Sequence, residues 1–323
     1  MAILLQCLGI EMDRGISAIV TTFNEEEHVA ACLESVAWCD EILVVDSYST
    51  DRTVELAEGF EKVRLFQHEY HGGAAQKNWA LQRARHEWIL IFDADERCTP
   101  ELRDEIQRLL EADPEADAYV IRRRVHFMGK VIRHSGWRND RVVRLFRRGK
   151  ARYQNRRVHS RVVTDSDEPA MYTAPVLESS MEHLMVDSMV EYIQRTRKYS
   201  YWGAAQLWKD GKRTTGLELL QRSVWRFLRT YVLQRGFLDG RHGLVFCLLQ
   251  AVGTYMKLSM LWGWQINLER GIEPDLPSFD EDQDLWTTPE AEQRDAAPQA
   301  AERSEGEGPA RASAGLPSAA SRD

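Results

Sequence analysis

The sequence predicts an α/β protein built on a doubly wound, mainly parallel sheet, followed by a small Arg-rich antiparallel sheet and C-terminal amphipathic helices. Three observations carry this. Short apolar runs that stop at a polar or acidic residue alternate with helical segments four times within about eighty residues. From residue 118 the pattern changes to apolar residues alternating with arginines, which reads as strands and turns. After Asp187, apolar and aromatic residues recur at helical spacing.

The first run, ISAIVTTFN (16–24), has the length of a strand buried on both faces, and the EEEHVAACLESVAW after it sets Val29, Leu33 and Val36 on one helical face. EILVVD (41–46) ends in Asp46, and Ser49 or Thr50 is placed to cap the next helix. VRLF, the helical AAQKNWALQRARH and WILIFD complete the alternation. Right-handed crossovers then put Asn24, Asp46 and Asp93 on one rim, beyond the carboxyl ends of the strands, where open sheets bind ligands. In WILIFDADE the acids Asp93 and Asp95 stand two apart. On an extended chain they would face one side and could hold a divalent cation carrying a diphosphate; an acidic loop capping the following helix is the other reading. Asp46 is open in the same way, as a contact to a base or ribose or as a cap of its own loop.

A chain of 323 residues with 43% hydrophobic content supports one large domain, or one domain with an appendage. Its charge is uneven. From Glu273 to the end there are 13 acidic and 4 basic residues, and this segment, too poor in large apolars to bury a core, is expected to be a disordered acidic tail. Residues 122–161 carry 15 Arg or Lys against one acid, Asp140, a field that suits an anionic partner. Residues 187–272 form a helical region that either packs back on the main domain or lies in a membrane interface. Within it, 244–262 approaches membrane-spanning length but is interrupted by Gln250 and Lys257. The opening residues 1–15 read as a lead-in; MAILLQCLGIEM lacks the basic start and cleavage site of a signal peptide. Five cysteines without zinc-ligand or C-x-x-C spacing fit a reducing compartment.

Several function classes fall away. No G-x-G-x-x-G follows the first strand and no G-x-x-x-x-G-K-[ST] occurs, against a dinucleotide dehydrogenase or a P-loop enzyme. A nucleotidyltransferase acting on a sugar phosphate remains an alternative, although TTFNEEEH is acidic and free of glycine. A nucleic-acid binder using the basic block is the alternative from another class, but the block has no zinc, helix-turn-helix or RNA-recognition pattern, so no nucleic-acid partner is expected.

The blocks TTFNEEEHVAACLESV, ILVVDSYSTDRT, AAQKNWALQRA and ILIFDADE, in that order within residues 16–96, resemble the nucleotide-sugar domain of the family 2 inverting glycosyltransferases, which have the GT-A fold. HSGWRNDRVVRLFRRGKARYQNRRVHSRVV and RFLRTYVLQRGFLDGRHGLVFC are similar to the lipopolysaccharide core glycosyltransferases of that family, the kind that add glucose to the inner core. The resemblance implies a GT-A-like catalytic domain over 16–186. It implies transfer of glucose or a related hexose from a nucleotide-sugar donor, expected to be UDP-linked, to a lipid-linked or lipopolysaccharide core saccharide. It sets Thr22, Asn24 and Glu25 at the border of the nucleotide, Asp46 on uracil or ribose, Lys77 and Asn78 nearby, and Asp93 on the ribose or the metal. Asp95 would bind the Mg²⁺ or Mn²⁺ ion that bridges the two phosphates.

Inverting transfer also needs a carboxylate base outside the metal site. Asp140 is the first candidate, or else the ion-pair partner of Arg138, Arg141 or Arg144; Glu182, beside His183, is the second. The family's V-H-E triplet reads Val158, His159, Ser160 here, so that position supplies no base. His159 and His183 are candidate contacts to phosphate or acceptor. Such an enzyme is expected in the cytoplasm, peripheral on the cytoplasmic face of the inner membrane, with its arginines meeting the anions of the acceptor or of the membrane surface.

Overall fold

Strands β1 (Ile16–Thr22), β2 (Glu41–Asp46), β3 (Val63–Gln67) and β4 (Trp88–Asp93) lie parallel in the order 3-2-1-4. The computed structural model to which they belong describes residues 15–154, 161–164, 169–186 and 188–276; the lead-in up to residue 14, the Val158-His159-Ser160 triplet and the tail beyond Leu276 lie outside the described residues. β1, β2 and β4 have no polar face because both sides are covered. Helices α1 (Val29–Val36), α2 (Thr53–Glu58), α3 (Gly73–Leu81) and α4 (Pro100–Glu111) fill the connections. On one side Val20, Val44 and Phe92 pack against Leu33, Ala57 and Ile106; on the other Ile19, Leu43 and Ile91 meet Ala74 and Ala80. α4 opens on Thr99, whose hydroxyl accepts from Leu102 N at 3.2 Å, with Pro100 next. α2 departs from expectation: Ser49 and Thr50 bond to Asn24 instead of capping it, and Asp51 accepts from Thr53 N at 3.0 Å.

The register sets Thr22 beside Asp46 and Thr21 beside Asp93, so the strand ends do share a rim. The Arg-rich segments differ from the separate sheet expected of them. β5 (Glu96–Arg97), β6 (Ala118–Phe127), β7 (Lys130–Val131) and β8 (Arg141–Arg147) all join the main sheet, which also takes in β11 (Val176–Val186) and runs 3-2-1-4-8-6-11-5 with β7 on β6. β8 is drawn in because Val143, Leu145 and Phe146 extend the core, with Leu90 opposite Leu145. Among the described residues, only β9 (Ala151–Tyr153) and β10 (Val162–Thr164) form a small antiparallel sheet, beside the short helix α5 (Ala170–Thr173). Since β8 runs antiparallel to β4, its first residues lie at the end of β4, and Asp140 comes to the Asp93 rim.

The described residues from 188 onward are mainly helical: α6 (Met189–Lys209), α7 (Gly216–Leu228), a π turn at Arg229–Leu233, a 3₁₀ turn at Gly236–Asp239, and α8 (Gly240–Glu269). Thr215 and Glu218 form a capping box at the start of α7. Phe246 ties α8 to the sheet, its ring 5.0 Å from that of Phe127 and 5.8 Å from that of Trp137. Gly243, one turn earlier, admits no side chain, because a Cβ there would collide with the Gly236 carbonyl.

Candidate active site

β4 delivers Asp93 to the rim, and the chain turns at once through Ala94 and Asp95 into β5. Because this is a turn and not an extended segment, the two acids point to different partners, contrary to the shared side expected of them. Asp93 meets Lys77 of α3 at 2.6 Å and Arg144 of β8 at 2.5 Å, and accepts from the Thr21 hydroxyl at 3.1 Å. Burial alone would raise its pKa, but Arg144 and Lys77 hold it well below the ordinary carboxylate range. Arg144, only 5% exposed, reaches on to the buried Glu96 at 2.8 Å. Arg123 of β6 meets Glu96 at 3.2 Å and grips Asp140 with bonds of 2.8 and 3.1 Å. The result is a row of alternating sign, Lys77, Asp93, Arg144, Glu96, Arg123, Asp140. Each member offsets the desolvation of its neighbours. The partner of Asp140 is therefore Arg123, and not one of the three arginines near it in sequence.

Asp95 turns towards β11 and α6. Its Oδ2 lies 3.4 Å from His183 Nε2 and 3.8 Å from an Arg195 nitrogen, and its carbonyl accepts from Leu184 N at 2.8 Å. Burial opposes its ionisation, yet the bond and charge of His183 bring its pKa below the ordinary value. Glu25, in the loop after β1, faces the same spot. Burial and the charge of Asp95 push its carboxyl up to about 8, against the pull of Arg195. At neutral pH that carboxyl is protonated and can donate a hydrogen bond to a phosphate or ribose oxygen.

The other candidates divide. Thr22 is buried and donates to Asp46 at 3.0 Å. Asn24 adopts a left-handed conformation (φ 52°), and its N–H and side-chain oxygen bond Ser49 and Thr50 at 2.8 Å each, which joins the loops after β1 and β2. Asp46 is fully buried and its acceptor positions meet Thr22, Ser49 twice and Gln67, so in this arrangement it caps its loop and offers no oxygen to a nucleoside. Asn78 does not face the rim. Its amide exchanges two 2.9 Å bonds with the Tyr153 backbone, as a strand residue would, and pins β9 to α3. Asn78→Ala should therefore lower stability by about 2 kcal/mol and leave nucleotide affinity within about twofold, which urea unfolding and calorimetric titration would measure. Glu182 and His183, adjacent on a regular strand, project to opposite faces. Glu182 is held by Arg124 and by His126 Nε2, the latter at 2.6 Å, so the sheet separates it from Asp95 and Asp140.

Glu96, Arg123, Arg144 and Arg195 were not assigned to the site by the sequence reading. One signal was present: Arg144 interrupts the apolar run from Val142 to Phe146, and a cation in such a run needs a buried acid. For a divalent cation the donors also divide. Asp93 does not fit, because each of its oxygens already meets a cation. Asp95 and His183 fit as a pair, the carboxylate Oδ2 facing His183 Nε2 at 3.4 Å; an ion there takes the place of the hydrogen bond between them, and Nδ1, buried and unpartnered across the ring, would carry the ring proton. No group of three His, Cys, Asp or Glu able to hold a metal occurs among the described residues, so phosphate oxygens and water would complete the shell, as is usual for Mg²⁺.

Acids along the ends of parallel strands, with a further carboxylate on the same rim, suit a nucleotide-sugar-dependent glycosyltransferase. The chain is a member of Glycosyl transferase family 2, whose profile it matches over residues 17–179. It is 32% identical over 254 residues to the lipopolysaccharide core biosynthesis glycosyltransferase LpsC of Rhizobium meliloti (strain 1021), a match covering 75% of this chain and 92% of that protein. The uncharacterized glycosyltransferase RT0209 of Rickettsia typhi (strain ATCC VR-144 / Wilmington) is 27% identical over 252 residues, covering 76% of this chain and 86% of that one. Among solved structures, S. aureus TarS 1-349 in complex with UDP-GlcNAc is similar at 16% identity and a TM-score of 0.40, over 80% of this chain and 92% of the other.

Proposed function

We propose that this enzyme moves a hexose from a UDP-linked donor to a hydroxyl of a lipid-linked or lipopolysaccharide core saccharide, with inversion at the anomeric carbon. The observation that carries the reading is the alternating row ending on Asp140. It fixes a carboxylate on the rim of Asp93, outside the Asp95 and His183 pair, as a single displacement needs. The likeness to LpsC over most of its length supports the acceptor class. Such acceptors reside in the cytoplasmic leaflet, which sets the expected location.

The acceptor oxygen attacks C1 from the side opposite the diphosphate, the bond from C1 to the phosphate oxygen breaks, and the acceptor proton passes to Asp140. Arg123 takes one lone pair on each Asp140 oxygen and leaves the second pair of each for the acceptor hydroxyl. Asp95 and His183 would hold a Mg²⁺ or Mn²⁺ ion, which when bound neutralises charge on the diphosphate. Arg195 adds a fixed positive charge beside them.

The test pairs a panel of UDP-hexoses with a phosphorylated lipid-linked saccharide, for wild type and Asp140→Asn. The variant should lose about 10²–10⁴ in kcat while its donor KM stays within about threefold. NMR of the wild-type product should show the anomeric configuration opposite to the donor's. Unchanged turnover in the variant would move the base elsewhere, and a retained configuration would end the single-displacement reading.

A further inference from the structure

The helical layer has a face that the reaction does not use. On α7, Leu219, Ser223 and Thr230 just beyond it turn inward, while Leu220, Val224, Trp225 and Leu228 stand 43% to 57% exposed on the other side. Leu233 and Phe237, in the two turns that follow, are exposed as well, and α8 carries further exposed apolar residues, Leu244, Leu248 and Val252 among them. Its charge is one-sided. Between Leu219 and Leu268 the chain has six Arg or Lys and a single acid, Asp239, which is buried and taken up by the backbone of Arg133 and by His134; Glu218, one residue earlier, meets Arg222 at 3.8 Å in an exposed pair and leaves Arg226 and Arg229 uncompensated by it. Arg222, Arg226 and Arg229 share one flank of α7 at spacings of four and three, with Trp225 between that flank and the strip. Arg226 donates to Gln250 at 2.7 Å, but its Nε and the Gln250 Nε2 are buried without partners. Burial and the charges of Arg226 and Arg222 lower the pKa of Lys257 on α8, so these cations press on one another.

We infer that this face docks on an anionic lipid surface, the apolar strip entering the acyl boundary and the arginine flank meeting headgroup phosphates. A tryptophan between strip and cations is the ring such a boundary favours. The segment Gly236–Glu269 is long and apolar enough to cross a membrane by length and composition. Its packing favours lying on the surface instead. α6 runs beside it, with Ser200 donating to the Gly253 carbonyl at 3.0 Å and Ala204 and Ala205 against Leu261 and Trp264. A crossing would carry the Arg195, Arg197 and Lys198 of α6 towards hydrocarbon, and Phe246 keeps the start of α8 on the sheet. The inference is independent of which sugar is transferred and of which carboxylate is the base.

Flotation of the full-length protein with vesicles tests it. The protein should float with vesicles containing phosphatidylglycerol, stay down with pure phosphatidylcholine, and be released by alkaline carbonate. Leu220→Glu with Val224→Glu, and separately Arg222→Glu with Arg229→Glu, should each cut the bound fraction about tenfold or more, with circular dichroism unchanged. All four positions are exposed, and the arginine pair reads the charge without touching the apolar strip. Undiminished binding in both variants would overturn the docking face, as would retention after carbonate, which marks a spanning helix. A lipid-independent dimer that both variants dissociate, together with no vesicle binding, would assign the face to a second copy of the chain and overturn the inference equally.

Discussion

Arg144→Met should destabilise the protein by about 3 kcal/mol, moving the urea midpoint down at an unchanged slope. The guanidinium is nearly inaccessible and lies between Asp93 and Glu96, so its removal leaves two acids buried with fewer partners. Lys77 still meets Asp93 and Arg123 still meets Glu96. That keeps the loss at the low end of the roughly 3–5 kcal/mol typical when one member of a buried pair is deleted. Arg144→Lys should recover little, because the shorter side chain does not carry its ammonium out to the position of Nη2, the one nitrogen that meets both carboxylates. Adding Glu96→Gln to Arg144→Met should regain part of the stability by neutralising the stranded acid; strict additivity of the single effects would show that the row does not act as a unit. The pH dependence has a definite sign. The Asp93 pKa is depressed in the folded state, so its contribution is present above the unfolded value of about 3.9 and fades as the pH falls below it. The gap between wild type and Arg144→Met should therefore narrow in acid.

This row explains why so much charge can sit inside one sheet. Asp93 is saturated by internal cations and acts as a fixed support, while Asp95, one turn further, faces an imidazole and an arginine from later elements. Two acids that look equivalent in the D-x-D string thus have different work. The division follows from the turn between β4 and β5, which a rule for extended chain does not anticipate.

The parallel half of the fold was legible because strands covered on both faces must be apolar throughout, as EILVVD and WILIFD nearly are, and because an acid shows where such a run reaches the rim. The antiparallel half was legible as strands but not as part of the same sheet, since joining depends on β8 finding β4 some fifty residues away. The completing contacts are equally distant in sequence: Lys77 to Asp93 spans 16 positions, Arg123 to Glu96 spans 27, and Arg144 to Asp93 spans 51. In the sequence, Arg123 and Arg144 look like any other members of a basic surface. In the structure they are internal, so less of that field faces outward than its count implies. His183 shows the same limit, because only the pairing of β11 with β6 and β5 decides that it, and not Glu182, faces Asp95.

Asp95→Asn should lower kcat by about 10³ or more, with stability changed by less than about 1 kcal/mol. Asparagine keeps the size of the side chain and one oxygen for His183, and the favourable charge of His183 that it forgoes is partly offset by relief of desolvation and of repulsion from Asp93. What it takes away is a rim carboxylate held neither by a buried arginine, as Asp93 and Asp140 are, nor by its own loop, as Asp46 is, and with it the harder donor of the proposed cation pair. Wild type should lose activity in excess EDTA and regain it with Mn²⁺, whereas the variant should regain little. Near-wild-type turnover in EDTA would overturn the cation assignment and leave Asp95 as the group that positions His183 and Arg195. Asp93→Asn should differ in kind. Its neighbours Lys77 and Arg144 would lose their counter-ion inside the sheet, so unfolding measurements should register that change before kinetics do.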